Sequence, residues 1–133
     1  MRRFSVVLLI LALTVAAFGA KPGTLNITVN QGGTFGPLVL TLKDSDGNAV
    51  NLTGYTASAQ YRKTYDSSEV LATFTCSIPS PTSGQITISL TDETTAALTA
   101  PAQGVWDLFI TDASGASYRI LAGTVTVLPR VTR

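Results

Sequence analysis

Three groups of side chains in this sequence have types and spacings that could do chemistry. Asp44, Asp46 and Asn48 stand two apart, the spacing with which a calcium loop opens. Such a loop needs a glycine at its sixth position and a bidentate glutamate at its twelfth. Ala49 and Tyr55 stand there instead, so the stretch reads as a hairpin turn in which Asp46-Gly47 supplies the positive φ. Asp92 and Glu93 are adjacent carboxylates, the raw material of acid–base catalysis. They also open a short helical pattern, where the helix dipole alone accounts for acids. Cys76 alternates with Phe74 and Ile78, the position of a small core residue, and a thiol nucleophile needs a base to activate it. The chain has no histidine. Imidazole bases, serine and cysteine triads and the usual zinc sites are therefore unavailable, and no catalytic residue, metal ligand or cofactor is expected.

Binding candidates are aromatic and apolar. Tyr55, Tyr61, Tyr65 and Tyr118 are possible stacking platforms for a glycan, but scattered strand tyrosines are more often core or cross-strand residues, so a glycan is the alternative partner. A stronger signal lies in Val105 to Thr111, which is apolar on both faces: Trp106, Leu108 and Ile110 on one, Val105 and Phe109 on the other. A second apolar face needs a cover. Val105 and Phe109 are the expected apolar centre of a protein contact, with Arg130 and Arg133 of the short tail 129–133 as its polar rim.

The elements that must position these residues are strands. Apolar residues alternate with Thr and Ser over short runs bounded by turn signals, a period of two. Strands are predicted over 25–29, 38–43, 55–63, 70–78, 85–91, 105–111 and 118–127, with Gln103-Gly104 as a turn before Trp106 and Pro79 and Pro129 as terminators. Thr91 to Leu98 is the exception, with an N-cap candidate followed by acids and alanines, and reads as one short helix. About seven strands with regular turns predict an all-β, antiparallel two-layer sandwich of immunoglobulin-like topology over 24–128.

The first residues follow a different rule. Met1-Arg2-Arg3 is a positive segment, Phe4 to Ala20 is apolar apart from Ser5 and Thr14, and Ala17 and Gly19 offer a cleavage site before Ala20. Residues 1–19 are predicted to be an apolar helical leader outside the sandwich, with 20–23 as linker. The leader is either a cleaved signal peptide, a membrane anchor at the short edge of spanning length, or a helix packed in an assembly. No cysteine follows it to carry a lipid. Without Arg2 and Arg3 the nine basic residues become seven against eight acidic, a net charge of −1, and a neutral surface gives no footprint for nucleic acid.

The run Asn26-Ile27-Thr28-Val29-Asn30-Gln31-Gly32, then Leu40-Thr41-Leu42-Lys43-Asp44 with Gly47, then Asn51-Leu52-Thr53-Gly54-Tyr55-Thr56-Ala57 resembles small virion structural proteins of tailed bacteriophages. Gly84 to Leu90, Trp106-Asp107-Leu108, Thr111 to Gly115, Gly123 to Val127 and Val131-Thr132-Arg133 continue it. The order is similar to the N-terminal β-sandwich domain of phage upper baseplate proteins and covers nearly everything after residue 24. The resemblance implies a non-enzymatic particle component, in tail, baseplate, fibre attachment or capsid decoration, whose partners are other virion subunits or copies of itself. The alternative is an exported bacterial immunoglobulin-like adhesion or assembly module at the periplasm or cell surface, for which the leader speaks.

Overall fold

The computed structural model describes residues 4–9 as backbone and residues 23–44 and 46–133 in full. Among these residues ten strands form two sheets, most of them where apolar and hydroxyl residues alternate. One sheet has the order β1 (Phe4–Leu9), β4 (Phe35–Lys43), β8 (Gln85–Leu90), β7 (Thr75–Ser80). The other runs β2 (Gly23–Thr24), β10 (Ser117–Leu128), β9 (Ala102–Thr111), β5 (Thr56–Arg62), β6 (Ala72–Thr73), with β3 (Ile27–Asn30) also on β10. The fold is all-β and sandwich-like. Leu40, Leu42, Ile86 and Ile88 from the first sheet share one buried core with Tyr61, Trp106, Leu108, Ile110, Leu121 and Val125 from the second. Each such aliphatic side chain contributes roughly 1.5–3 kcal/mol of transfer free energy.

Hairpin chemistry sits where Asp and Gly place it. Asp44 Oδ1 accepts from the amides of Asp46 and Asn48 at 2.9 and 3.0 Å, and Gly47 has φ +84°. Asp112 repeats the device between β9 and β10, taking Ser114 N and Ala116 N at 3.0 and 2.9 Å. The Ser114 hydroxyl, which donates to the same oxygen at 2.7 Å, is the main cause that holds the Asp112 carboxyl below its ordinary value, and these amide bonds add to it. The expected helix is a single turn, α1 (Asp92–Ala96), capped by Thr91 Oγ1 accepting from Thr94 N at 3.2 Å.

Four expectations are corrected. Phe4–Leu9 is a strand, where a helix was expected, and pairs in parallel with Leu38–Lys43. The β-branched pair Val6-Val7 suits a strand, and the β4 edge offers this segment hydrogen-bond partners. The expected cleavage position before Ala20 lies outside the described residues. Secondly, the pairing is not wholly antiparallel, because β1 on β4 and β2 and β3 on β10 are parallel. No hairpin joins these strands, so no turn imposes opposite directions. Thirdly, Gln103 and Gly104 are strand, not turn: β9 begins at Ala102 and Gly104 packs directly under the Arg62 carbonyl. Finally, the predicted strand 70–78 divides. Phe74 carries the chain from one sheet to the other, its amide bonded to Ala59 O at 3.0 Å and its ring 5.5 Å from Trp106. Pro79 does not stop the strand, because β7 is an edge strand with a register shift between Ser77 and Ser80, where a missing N–H costs no ladder bond.

Candidate functional site

Alternation along β9 turns Trp106, Leu108 and Ile110 into the core and leaves Val105, Asp107 and Phe109 half-buried on the outer face. Antiparallel register then decides their neighbours. Arg62 on β5 and Thr124 on β10 flank Val105, Gln60 and Ala122 flank Asp107, and Ser58 and Arg119 flank Phe109. With the loop after β5 these strands shape a concavity of about 320 Å³ lined by Gln60, Arg62, Tyr65, Val105, Asp107 and Phe109.

The polar groups of this concavity are arranged in advance. Arg62 donates through Nη1 to Ser67 O at 2.7 Å and through Nη2 to Gln60 Oε1 at 2.9 Å. The second bond fixes the Gln60 amide with its NH₂ group free to donate. Among the described residues the side-chain partners of Asp107 are ionic: Arg119 Nη1 lies 3.9 Å from Oδ2, and Arg62 acts at longer range. Burial raises the Asp107 carboxyl above its ordinary value, and Arg119 and then Arg62 oppose that rise only in part. A half-buried carboxylate, a clamped guanidinium and an exposed tyrosine therefore meet in one place.

Arg130 and Arg133 are elsewhere. Ala102 pairs with Val127, just before the tail leaves β10, and Phe109 lies seven residues further along β9, about 24 Å away. The structure thus brings Val105 and Phe109 together and separates them from both arginines. At the tail end, Gln31 ties the chain down: its amide N donates to Leu128 O at 2.9 Å, its Nε2 to Leu98 O at 2.9 Å, and its Oε1 accepts from Arg130 N at 3.3 Å. Beyond that tie Leu128 and Val131 are exposed, the latter at 95%. A second concavity of about 570 Å³ opens at this end between Leu71, Leu98, Pro101 and Ala102.

The other candidates fall into structural places. Tyr61 is buried, Tyr55 and Tyr118 are half-buried, and of the four tyrosines only Tyr65 is largely exposed. Asp92 Oδ1 accepts the amide of Glu93 on an exposed turn. Among the described residues no group of three or more His, Cys, Asp or Glu side chains converges as a metal site would require. Cys76 is half-buried with its Sγ 3.7 Å from Phe74 O, and burial pushes its thiol up to about 11. In the folded protein it is expected to react with iodoacetamide at pH 8 at least about tenfold more slowly than in urea, because the thiolate fraction is so small. Equal rates in the two conditions would show the thiol to be open and unperturbed.

Arg62, Gln60 and Asp107 did not stand out as site residues in the sequence. Their signal was polar residues at the outward positions of β5 and a single acid between the apolar outward residues Val105 and Phe109 of β9, which become a site only once register sets the strands side by side. No protein-family model matches the chain, and no curated protein is significantly similar to it.

Proposed function

We propose that the chain is a non-enzymatic structural component of a phage particle, an immunoglobulin-like sandwich that works through protein–protein contacts with other virion subunits or copies of itself. The reading starts from the resemblance in residue order after residue 24. The observation that carries the mode of action is the end of β10, where Leu128 and Val131 are two of the three large exposed hydrophobic side chains among the described residues. They alternate with Arg130 and Arg133, so the segment offers apolar anchors inside a basic rim, the composition of a docking peptide. The neutral charge of the chain fits a protein partner better than nucleic acid.

Deleting residues 129–133 in a chain that also carries Leu128→Ser is expected to leave unfolding free energy within about 0.5 kcal/mol of the parent. Incorporation into particles is expected to fall by roughly tenfold or more, measured by complementation and quantitative blotting of purified particles. Parental incorporation would refute the docking role, and loss in Phe109→Ser instead would move the contact to the sheet face. The second reading, an exported bacterial adhesion or assembly module, rests on the Arg2-Arg3 and apolar Phe4 to Ala20 pattern. Tail and capsid genes beside this gene would decide for the first reading, and recovery from the periplasm beginning at Ala20 or Lys21 for the second.

A further inference from the structure

We propose that the concavity on the outer face of β5 and β9 is a saccharide-binding site, with Asp107, Arg62 and Gln60 as partners of sugar hydroxyls and Tyr65 and Phe109 as the apolar platform. The inference stands apart from the docking of the tail, since the two places lie at different parts of the molecule.

Charge selects the ligand class by elimination. A ligand carboxylate or phosphate would meet Asp107, and a cation would meet Arg62 and Arg119. A wholly apolar ligand would take water from a carboxylate and a guanidinium without giving either a new partner, which opposes binding. A neutral polyol avoids all three penalties, because each hydroxyl is both donor and acceptor. One hydroxyl can donate to Asp107, which accepts no side-chain hydrogen bond among the described residues, while its neighbour accepts from the remaining N–H groups of Arg62 or the Gln60 NH₂. Saccharides add C–H faces to that pattern, and Tyr65, 62% exposed, and Phe109 both line the concavity where such a face would lie.

The site is also built before any ligand arrives. Arg62 is held by two hydrogen bonds of 2.7 and 2.9 Å, and one of them orients Gln60, so little side-chain entropy is left to lose on binding. The three charged or amide groups stand on two central strands of the sheet, a stiffer support than a loop. A volume of about 320 Å³ lies at the small end of the ~300–1,000 Å³ of ligand pockets and suits a mono- or disaccharide.

The test is amide NMR of the ¹⁵N-labelled chain titrated to millimolar concentrations with maltose, cellobiose, lactose and diacetylchitobiose, with inorganic phosphate as a separate arm. At least one disaccharide is expected to give saturable shifts centred on Gln60, Arg62, Tyr65 and Asp107. Tyr65→Ala, an exposed loop change that leaves the core intact, should weaken that binding roughly tenfold while Tyr65→Phe keeps it. Asp107→Ala should weaken it by roughly tenfold or more. The proposal is overturned if no disaccharide shifts these signals, if the shifts persist undiminished in Tyr65→Ala and Asp107→Ala, or if phosphate alone moves Arg62 and Arg119.

Discussion

Trp106→Ala is expected to lower the unfolding free energy by about 4 kcal/mol, among the largest losses any single side chain of this domain can cause. Trp106 is 1% exposed and stands at the centre of β9, between β10 and β5, where Gly123 and Tyr61 are its register partners. Its ring meets Phe74 at 5.5 Å, and Phe74 meets Phe35 at 6.0 Å, so one aromatic chain ties the point where the strand changes sheets to the start of β4. Truncation removes the transfer free energy of the indole and opens a cavity that β9, hydrogen-bonded on both sides, cannot collapse to fill. Domains of this size hold about 5–15 kcal/mol in total, so the change should bring the urea midpoint down by roughly 2–4 M. Trp106→Phe separates the components. It keeps most of the apolar area but removes the Nε1 donor that bonds Leu25 O at 2.8 Å, and about 1–2 kcal/mol should be lost. A loss below about 1 kcal/mol for the alanine variant would mean that the indole is not part of the core packing.

The sandwich was legible where a local rule decides the outcome. Alternation named the buried residues of β8 and β9, Asp-Gly and Asp112 to Gly115 named the turns, and Thr91 before two acids named the helical turn. Elsewhere the deciding contacts were remote in sequence. The division of 70–78 between two sheets depends on Phe74 finding Ala59, Phe35 and Trp106, none of which lies within ten residues of it. The parallel entry of β2 and β3 depends on a strand 98 residues later, seen in the bond from Thr124 N to Asn26 Oδ1. The candidate site has the same character. Tyr65 was named from its residue type, and Val105 and Phe109 from the second apolar face of β9. Asp107, lying between them, looked like an ordinary polar strand position until register set it beside Gln60. Placing Arg130 and Arg133 around Phe109 failed because antiparallel pairing sets the end of β10 beside Ala102, at the opposite end of β9 from Phe109.

Gly123→Ala carries the second large effect, and its cause is a carbonyl. Leu25 lies alongside β10 between the two short parallel pairings of β2 and β3, which keep one register, with its amide donating to Ala122 O at 3.0 Å. The Leu25 carbonyl stands over the place where a Cβ on residue 123 would be: a methyl there would overlap Leu25 O and come within 2.6 Å of Leu25 C and 3.0 Å of Asn26 Oδ1. The obstacle is backbone, so it cannot swing aside as a side-chain tip would. Gly123 is thus the space that lets Leu25 O reach the Trp106 indole across the ladder. An alanine must push the Leu25 backbone outward and stretch that hydrogen bond, at an expected cost of about 2–4 kcal/mol after the gain from a stiffer unfolded chain is counted. The two substitutions should not add. Once Trp106→Phe has removed the donor, outward movement of Leu25 no longer costs the indole bond, so Gly123→Ala should cost about 1 kcal/mol less in that background. Urea unfolding of the parent, the two single variants and the double variant measures the coupling. Strict additivity would mean that the glycine serves only to admit the backbone and that the indole bond does not depend on it.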